Sequence, residues 1–164
     1  MTRGKELVAA ALAAAGFGLV LGFATGCGGS VQKPYTFETR SRSDATTVAI
    51  QALTDEGYPA SPTEGNPNRV RSDWKNTGTR YGYAGGRPAQ LVRRFIIEMT
   101  PGEGPDGKLT VQVKSEALAC SEVAIMAGEF RPGRDCNLVE ESNPADQRDV
   151  DRIGAAIERA FVQR

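Results

Sequence analysis

The spacing of apolar and polar positions changes several times along this chain, and each change marks an element. The first run has no period: Leu7 to Ala24 (LVAAALAAAGFGLVLGFA) is small and apolar throughout, behind a head carrying Arg3 and Lys5. Tyr35-Thr36-Phe37-Glu38-Thr39 alternates and predicts an edge strand. Ala45, Val48, Ala49, Ala52 and Leu53 then recur at helical spacing. Ser43 or Asp44 caps that helix, Gly57 stands at C′, Tyr58 supplies the accompanying hydrophobic contact, and Pro59 forbids continuation. Ser61 to Asn68 is polar, holds Pro62, Gly65 and Pro67, and reads as a loop.

Val70, Ser72 and Trp74 alternate with Arg71, Asp73 and Lys75, the pattern of a strand with one wet face. Asn76-Thr77-Gly78 supplies turn residues, and Tyr81 and Tyr83 suggest a further strand broken by Ala84 to Pro88. Leu91, Phe95, Ile97 and Met99 share a face on which Arg93 is the exception, while Arg94 and Glu98 point the other way. Beyond a Gly- and Pro-rich loop at 101–107, Leu109, Val111 and Val113 face inward, continued by Ser115, Ala117 and Ala119. Thr110, Gln112, Lys114 and Glu116 face water. Residues 121–142 suit either a short helical or an extended cover. Asn143-Pro144 opens a last helix striped by Val150, Ile153, Ile157, Ala160 and Phe161. The expected fold is α+β, a two-layer sandwich over residues 35–164. It has an antiparallel sheet of three to five strands, two helices packed on one face, and the order (β)αβββα.

A basic head, an apolar run and small residues before a cleavage point are the marks of a secretory signal peptide. Here Ala24-Thr25-Gly26 leads into Cys27, followed by Gly28-Gly29-Ser30. This stretch resembles the lipobox of bacterial lipoproteins, which prefers Leu where this chain has Ala24. The resemblance implies removal of residues 1–26 and acylation of Cys27, with palmitate-type chains holding the protein to a membrane leaflet. Residues 27–34 would then be a lipidated cysteine and a short tether. Gly28 rather than Asp at the next position implies the periplasmic face of the outer membrane over the inner membrane. Two alternatives stay open: an uncleaved anchor, since the run approaches the ~20 residues that span a bilayer, and a cleaved signal on a soluble secreted protein.

Charge narrows the partners. Without Arg3, Lys5 and Glu6, the 20 basic and 20 acidic residues become 18 and 19. That balance argues against the clustered Lys and Arg of a phosphate-binding surface and against a nucleic-acid partner. There are three cysteines and no histidine. With Cys27 lipidated, Cys120 and Cys136 form an even pair in an oxidising compartment and read as a disulfide. Its constraint is worth on the order of 3 kcal/mol in the chain-entropy treatment. A metal or redox pair lacks support, because two cysteines without histidine do not complete a zinc site and the spacing is not C-x-x-C. No cofactor is expected.

A second resemblance rests on a helix ending in "LTDEGYP" (Leu53–Pro59) before a strand with "VRSDW" (Val70–Trp74). Together with the lipobox and tether, this is similar to the small helix-on-sheet domains of outer-membrane lipoproteins such as the C lipoprotein of the β-barrel assembly machine. The likeness covers about residues 35–119, over one such domain where that lipoprotein carries two. It implies a binding or scaffolding role in the envelope.

The lack of histidine removes the usual general base, the Ser-His-Asp triad and the Cys-His dyad. Asp55-Glu56 and Glu140-Glu141 read as solvated surface, and Asp149 and Asp151 do not share a helix face. The most distinctive stretch is Tyr81-Gly82-Tyr83-Ala84-Gly85-Gly86-Arg87. It fits a glycine-rich hairpin tip whose tyrosines pack toward Trp74. It also makes Trp74, Tyr81, Tyr83 and Arg87 a candidate ligand surface. The expectation is a non-catalytic envelope lipoprotein that binds an envelope protein or an amphiphile. The alternative is a carboxylate-dependent hydrolase acting on cell-wall material.

Overall fold

The computed structural model describes residues 33–102, 107–139 and 144–163. The Cys27 motif, the segment before it and Glu140-Glu141 lie outside these. The elements are β1 (Tyr35–Arg40), α1 (Ala45–Asp55), β2 (Ala60–Thr63), β3 (Asn66–Ser72), β4 (Lys75–Ala84), β5 (Arg87–Pro101), β6 (Lys108–Ser121), α2 (Glu122–Ala127), β7 (Cys136–Leu138) and α3 (Pro144–Gln163).

One antiparallel hairpin is the spine. β5 and β6 pair without interruption from Ala89↔Ser121 to Pro101↔Leu109. Each is long enough to hold two neighbours end to end on its outer side. β6 takes β1 along 108–113 and β7 along 118–120. β5 takes β3 along 96–98 and β4 along 87–93, and β2 extends β3. Between β3 and β4 the ladder leaves one donor on β5 without a strand, and the buried Ser72 fills that place: its Oγ accepts the Phe95 N–H at 2.9 Å. A buried amide left unpaired would cost about 1–3 kcal/mol, so the serine closes the gap between strands.

Side chains alternate across the hairpin, so odd positions of β5 and β6 face one way and even positions the other. On the odd face Phe95, Ile97, Met99, Leu109, Val111 and Val113 meet Val48, Ala49 and Leu53 of α1 and Val150, Ile153, Ile157 and Phe161 of α3. α1 ends as its sequence predicts. Gly57 lies at φ 80°, its N–H donates to Thr54 O and Tyr58 N–H to Leu53 O, both at 2.9 Å. Tyr58 packs edge-on against Phe95, with ring centroids 4.8 Å apart. Burial raises its hydroxyl above the usual pKa, with Asp149 and Glu56 adding to the effect and Arg93 and Arg152 opposing it. Gly154 of α3 is buried against β1, where a methyl group would overlap the Tyr35 ring. Tyr35 donates its hydroxyl to Glu158, the chief reason its own pKa is raised. Just ahead of β1, Lys33 N–H donates to Gln147 Oε1 and its carbonyl accepts from Gln147 Nε2.

Arg93, the exception on the inward face, is 1% exposed and ion-paired to Asp146 and Asp149 in the first turns of α3. The two carboxylates sit three residues apart on one helix face and reach the same guanidinium. A cation that would be costly to bury alone is thereby paired, and the start of α3 is fastened to β5.

The expected architecture is corrected on several counts. The sheet has seven strands rather than three to five, and helices are a minority. Ser61–Asn68 is no loop: Ala60–Thr63 and Asn66–Ser72 form a hairpin turning at Glu64-Gly65, with Gly65 at φ 74°. Its two prolines are tolerated because the hairpin lies at the sheet edge. Asn76-Thr77-Gly78 does not end a strand. It is a bulged stretch inside β4, where Asn76 Oδ1 accepts the Gly78 N–H at 2.9 Å. Among the described residues the helices are three, and α2 covers the opposite face. That even face is not uniformly wet: Val92, Leu118, Cys120, Ala124 and Cys136 form a second buried cluster, with Trp74, Ile125 and Phe130 packed against it. Trp74 therefore does not share a face with Val70 and Ser72, because β3 ends at Ser72 and the chain turns before β4. Among the described residues no helix is long and apolar enough to cross a membrane.

Candidate functional site

The second cluster supports a surface cleft of about 840 Å³. Its construction begins with Cys120 and Cys136, which stand opposite each other in the β6–β7 register and are joined by a disulfide. The bond closes a 16-residue separation holding α2 and the loop 128–135. α2 stops at Gly128, which has φ 68°. The loop is fixed at its far end as well: Ser121 N–H donates to Asp135 O at 2.8 Å, and Gly133 N–H to Cys136 O at 2.9 Å.

The β4–β5 hairpin tip buttresses this loop from the other side. Gly85 and Gly86 lie at φ 56° and 75°, the pair of positive values that a two-residue hairpin turn requires. A Cβ on Gly85 would stand 2.9 Å from Arg134 O and 3.0 Å from Asp135 Oδ1, so only glycine allows this approach. Asn137 Nδ2 donates to Tyr83 O at 3.1 Å and ties β7 to the same tip.

The wall facing the loop comes from the sheet. Arg94 stacks its guanidinium over the Trp74 ring, 4.3 Å from the centroid, and pairs with Glu116 through Nε at 2.6 Å. Arg71 projects from β3 on the same face. With Arg131 and Arg134 from the loop, four of the six charged residues lining the cleft are arginines, against Glu129 and Asp135. Arg71, Arg131 and Arg134 have no carboxylate partner among the described residues. The near-neutral total charge thus conceals a meeting of four arginines at one cleft, beside Glu129 and Asp135. These residues are far apart in sequence, so only the topology shows it.

The four residues of the expected ligand surface do not form one surface. Trp74 lines the cleft. Tyr81 is half-buried on the other face against Ala84, Ala89 and Ala119, in company with Val139 rather than Trp74. Tyr83 is 69% exposed, and Arg87 stands exposed at the first position of β5 beyond the tip. The Tyr81–Arg87 stretch is a hairpin tip whose role at the cleft is support. Arg71, Arg94, Arg131 and Arg134 were missed because no local spacing links them. The signal available was Cys120 and Cys136 flanking "EFRPGRD" (Glu129–Asp135), a short loop with two arginines between disulfide ends.

The two acids at the end of α1 have separate partners. Asp55 accepts from Gln51 at 2.7 Å, and Glu56 pairs with Arg152. Among the described residues no group of three or more metal-ligating side chains gathers. No protein-family model and no curated protein matches this sequence.

Proposed function

We propose that this chain is a non-catalytic, lipid-anchored module of the bacterial cell envelope, and that its arginine-lined cleft holds an envelope partner or amphiphile. The anchor is Cys27 in Ala24-Thr25-Gly26-Cys27, and Gly28 favours the periplasmic face of the outer membrane.

One observation carries the binding reading. The loop, the disulfide, the hairpin tip and the Trp74–Arg94 stack converge on a single concave surface. Pre-formed concavity with fixed polar groups is what a binding site needs. The hydrolase alternative requires two carboxylates set across a cleft from each other; the two that line this one, Glu129 and Asp135, both belong to the stapled loop, and Asp135 accepts the Ser121 hydroxyl at 3.3 Å.

Two experiments test the proposal in the native host. Intact mass should show a chain beginning at Cys27 plus acyl chains, and Cys27→Ser should abolish both processing and acylation. An unprocessed chain that stays in the membrane regardless of Cys27 would refute the lipid anchor. A photo-crosslinking residue at Phe130 should capture a defined envelope component that the same residue at Gln51, on exposed α1 surface, does not. Equal capture from both positions would refute the cleft as the working surface.

A further inference from the structure

We propose that the cleft's ligand is an anionic amphiphile, with its phosphate held by Arg71, Arg131 and Arg134 and its apolar part lying along α2. This rests on the reading of the cleft as the binding surface and names the chemistry it selects.

Arg94 is already balanced by Glu116 and laid flat on Trp74, so it forms a fixed wall rather than a free charge. Arg71, Arg131 and Arg134 are exposed and approach from two sides, one from the sheet and two from the stapled loop. Guanidinium groups suit phosphate because their planar donors match its oxygens in pairs. With Arg94 balanced by Glu116, the other three arginines of the cleft outnumber its two acids, Glu129 and Asp135, by one. The local excess is positive.

The neighbouring surface has the complementary character. Val123, Ala124 and Ala127 of α2 line the cleft, and Met126 is exposed beside Ala127 on the same helix. Met126 is 80% exposed and Val123 39%. An apolar stripe on the rim of a basic cleft fits a molecule that is anionic at one end and apolar at the other. The volume of about 840 Å³ falls in the range of small-ligand pockets and takes a lipid headgroup with the start of its chains.

Trp74 is the single tryptophan and lines the cleft, so its fluorescence reports occupancy. Full-length protein in a neutral detergent would be titrated with dihexanoylphosphatidylglycerol, dihexanoylphosphatidylcholine, glycerol 3-phosphate and an Asp/Glu-rich peptide. The expected result is a saturable change with the phosphatidylglycerol, and affinity at least about ten-fold weaker for the other three. Arg131→Gln and Arg134→Gln should each weaken it on the order of ten-fold with unchanged circular dichroism. Arg80→Gln, outside the cleft, should leave it unchanged. Val123→Gln should weaken the lipid but not glycerol 3-phosphate.

Equal affinity for the zwitterionic lipid, equal affinity for glycerol 3-phosphate, tighter binding of the peptide, or indifference to both loop arginines would each overturn the inference. None of these touches the capture experiment from Phe130, so a cleft that takes a different partner remains distinguishable from a cleft that takes none.

Discussion

The two ends of the β5–β6 hairpin are made from the same ladder and held by different means. At the end bearing Phe95, Ile97, Met99, Leu109, Val111 and Val113, large side chains meet two helices. At the other end the buried residues are Ala84, Ala89 and Ala119 on one face and Val92, Leu118, Ala124 and the two cysteines on the other. These clusters are smaller than the one under the helices and bury less area in total. A covalent bond, a glycine turn and a few directed hydrogen bonds supply the order there instead. The comparison teaches a division of labour: burial stabilises the helix end, while the stapled end holds its loop in place and leaves its arginines in water.

Replacing a large residue at the helix end should break the comparison most severely. Phe95→Ala should destabilise by about 3–5 kcal/mol in a denaturant melt, and a value near that of a surface alanine would undo the account of the core. Removing the staple with Cys120→Ala/Cys136→Ala should cost about 2–4 kcal/mol. Its hydrogen-exchange protection should fall in β7 and the loop 128–135 but not in α1 or α3, and protection lost evenly over the chain would deny the division.

Gly154→Ala should cost about 1–3 kcal/mol, because the added methyl must push the Tyr35 ring from α3. Gly128→Ala, with open space at its Cβ but φ 68°, carries only the backbone penalty and should cost less, about 1 kcal/mol. The reverse ranking in thermal melts would place the strain at the wrong end.

The smallest effect concerns alkaline pH. The folded hydroxyl of Tyr58 has its pKa raised above 10.0 by burial. Its neutral form is therefore favoured by folding, and the associated stability is fully present below the unfolded value near 10. It is lost as pH climbs through the folded pKa. Tyr58→Phe should leave stability at pH 8 within about 1 kcal/mol of the parent and show a shallower decline between pH 9 and 11, measured by urea titration. An identical decline in both proteins would assign the alkaline loss elsewhere.

Legibility in the sequence followed the same division. α1 with its Gly57–Tyr58 ending, the α3 stripe and the inward faces of β5 and β6 were readable, because large apolar residues at fixed periods face one core. Arg93 registered as an exception, but its partners Asp146 and Asp149 lie far along the chain and only the packing of α3 brings them near. β2 was lost to Pro62 and Pro67, which mean a loop in a central strand and are harmless at an edge. The second core was hidden because Val92, Leu118 and Cys120 occupy the face that Arg94, Lys114 and Glu116 mark as wet. The cleft was hidden more deeply still. Its arginines come from β3, β5 and the loop after α2, and a balanced total charge conceals their meeting.

The most direct test of the central claim, that the stapled end is the working surface, is capture from the Phe130 photo-crosslinker in native envelopes, with and without Cys120→Ala/Cys136→Ala, at a temperature where both proteins stay folded. The account predicts that the defined product falls at least about ten-fold once the loop is released, since an unfixed loop no longer presents a pre-formed site, while the signals of α1 and α3 persist. Undiminished capture from the unstapled protein would contradict it.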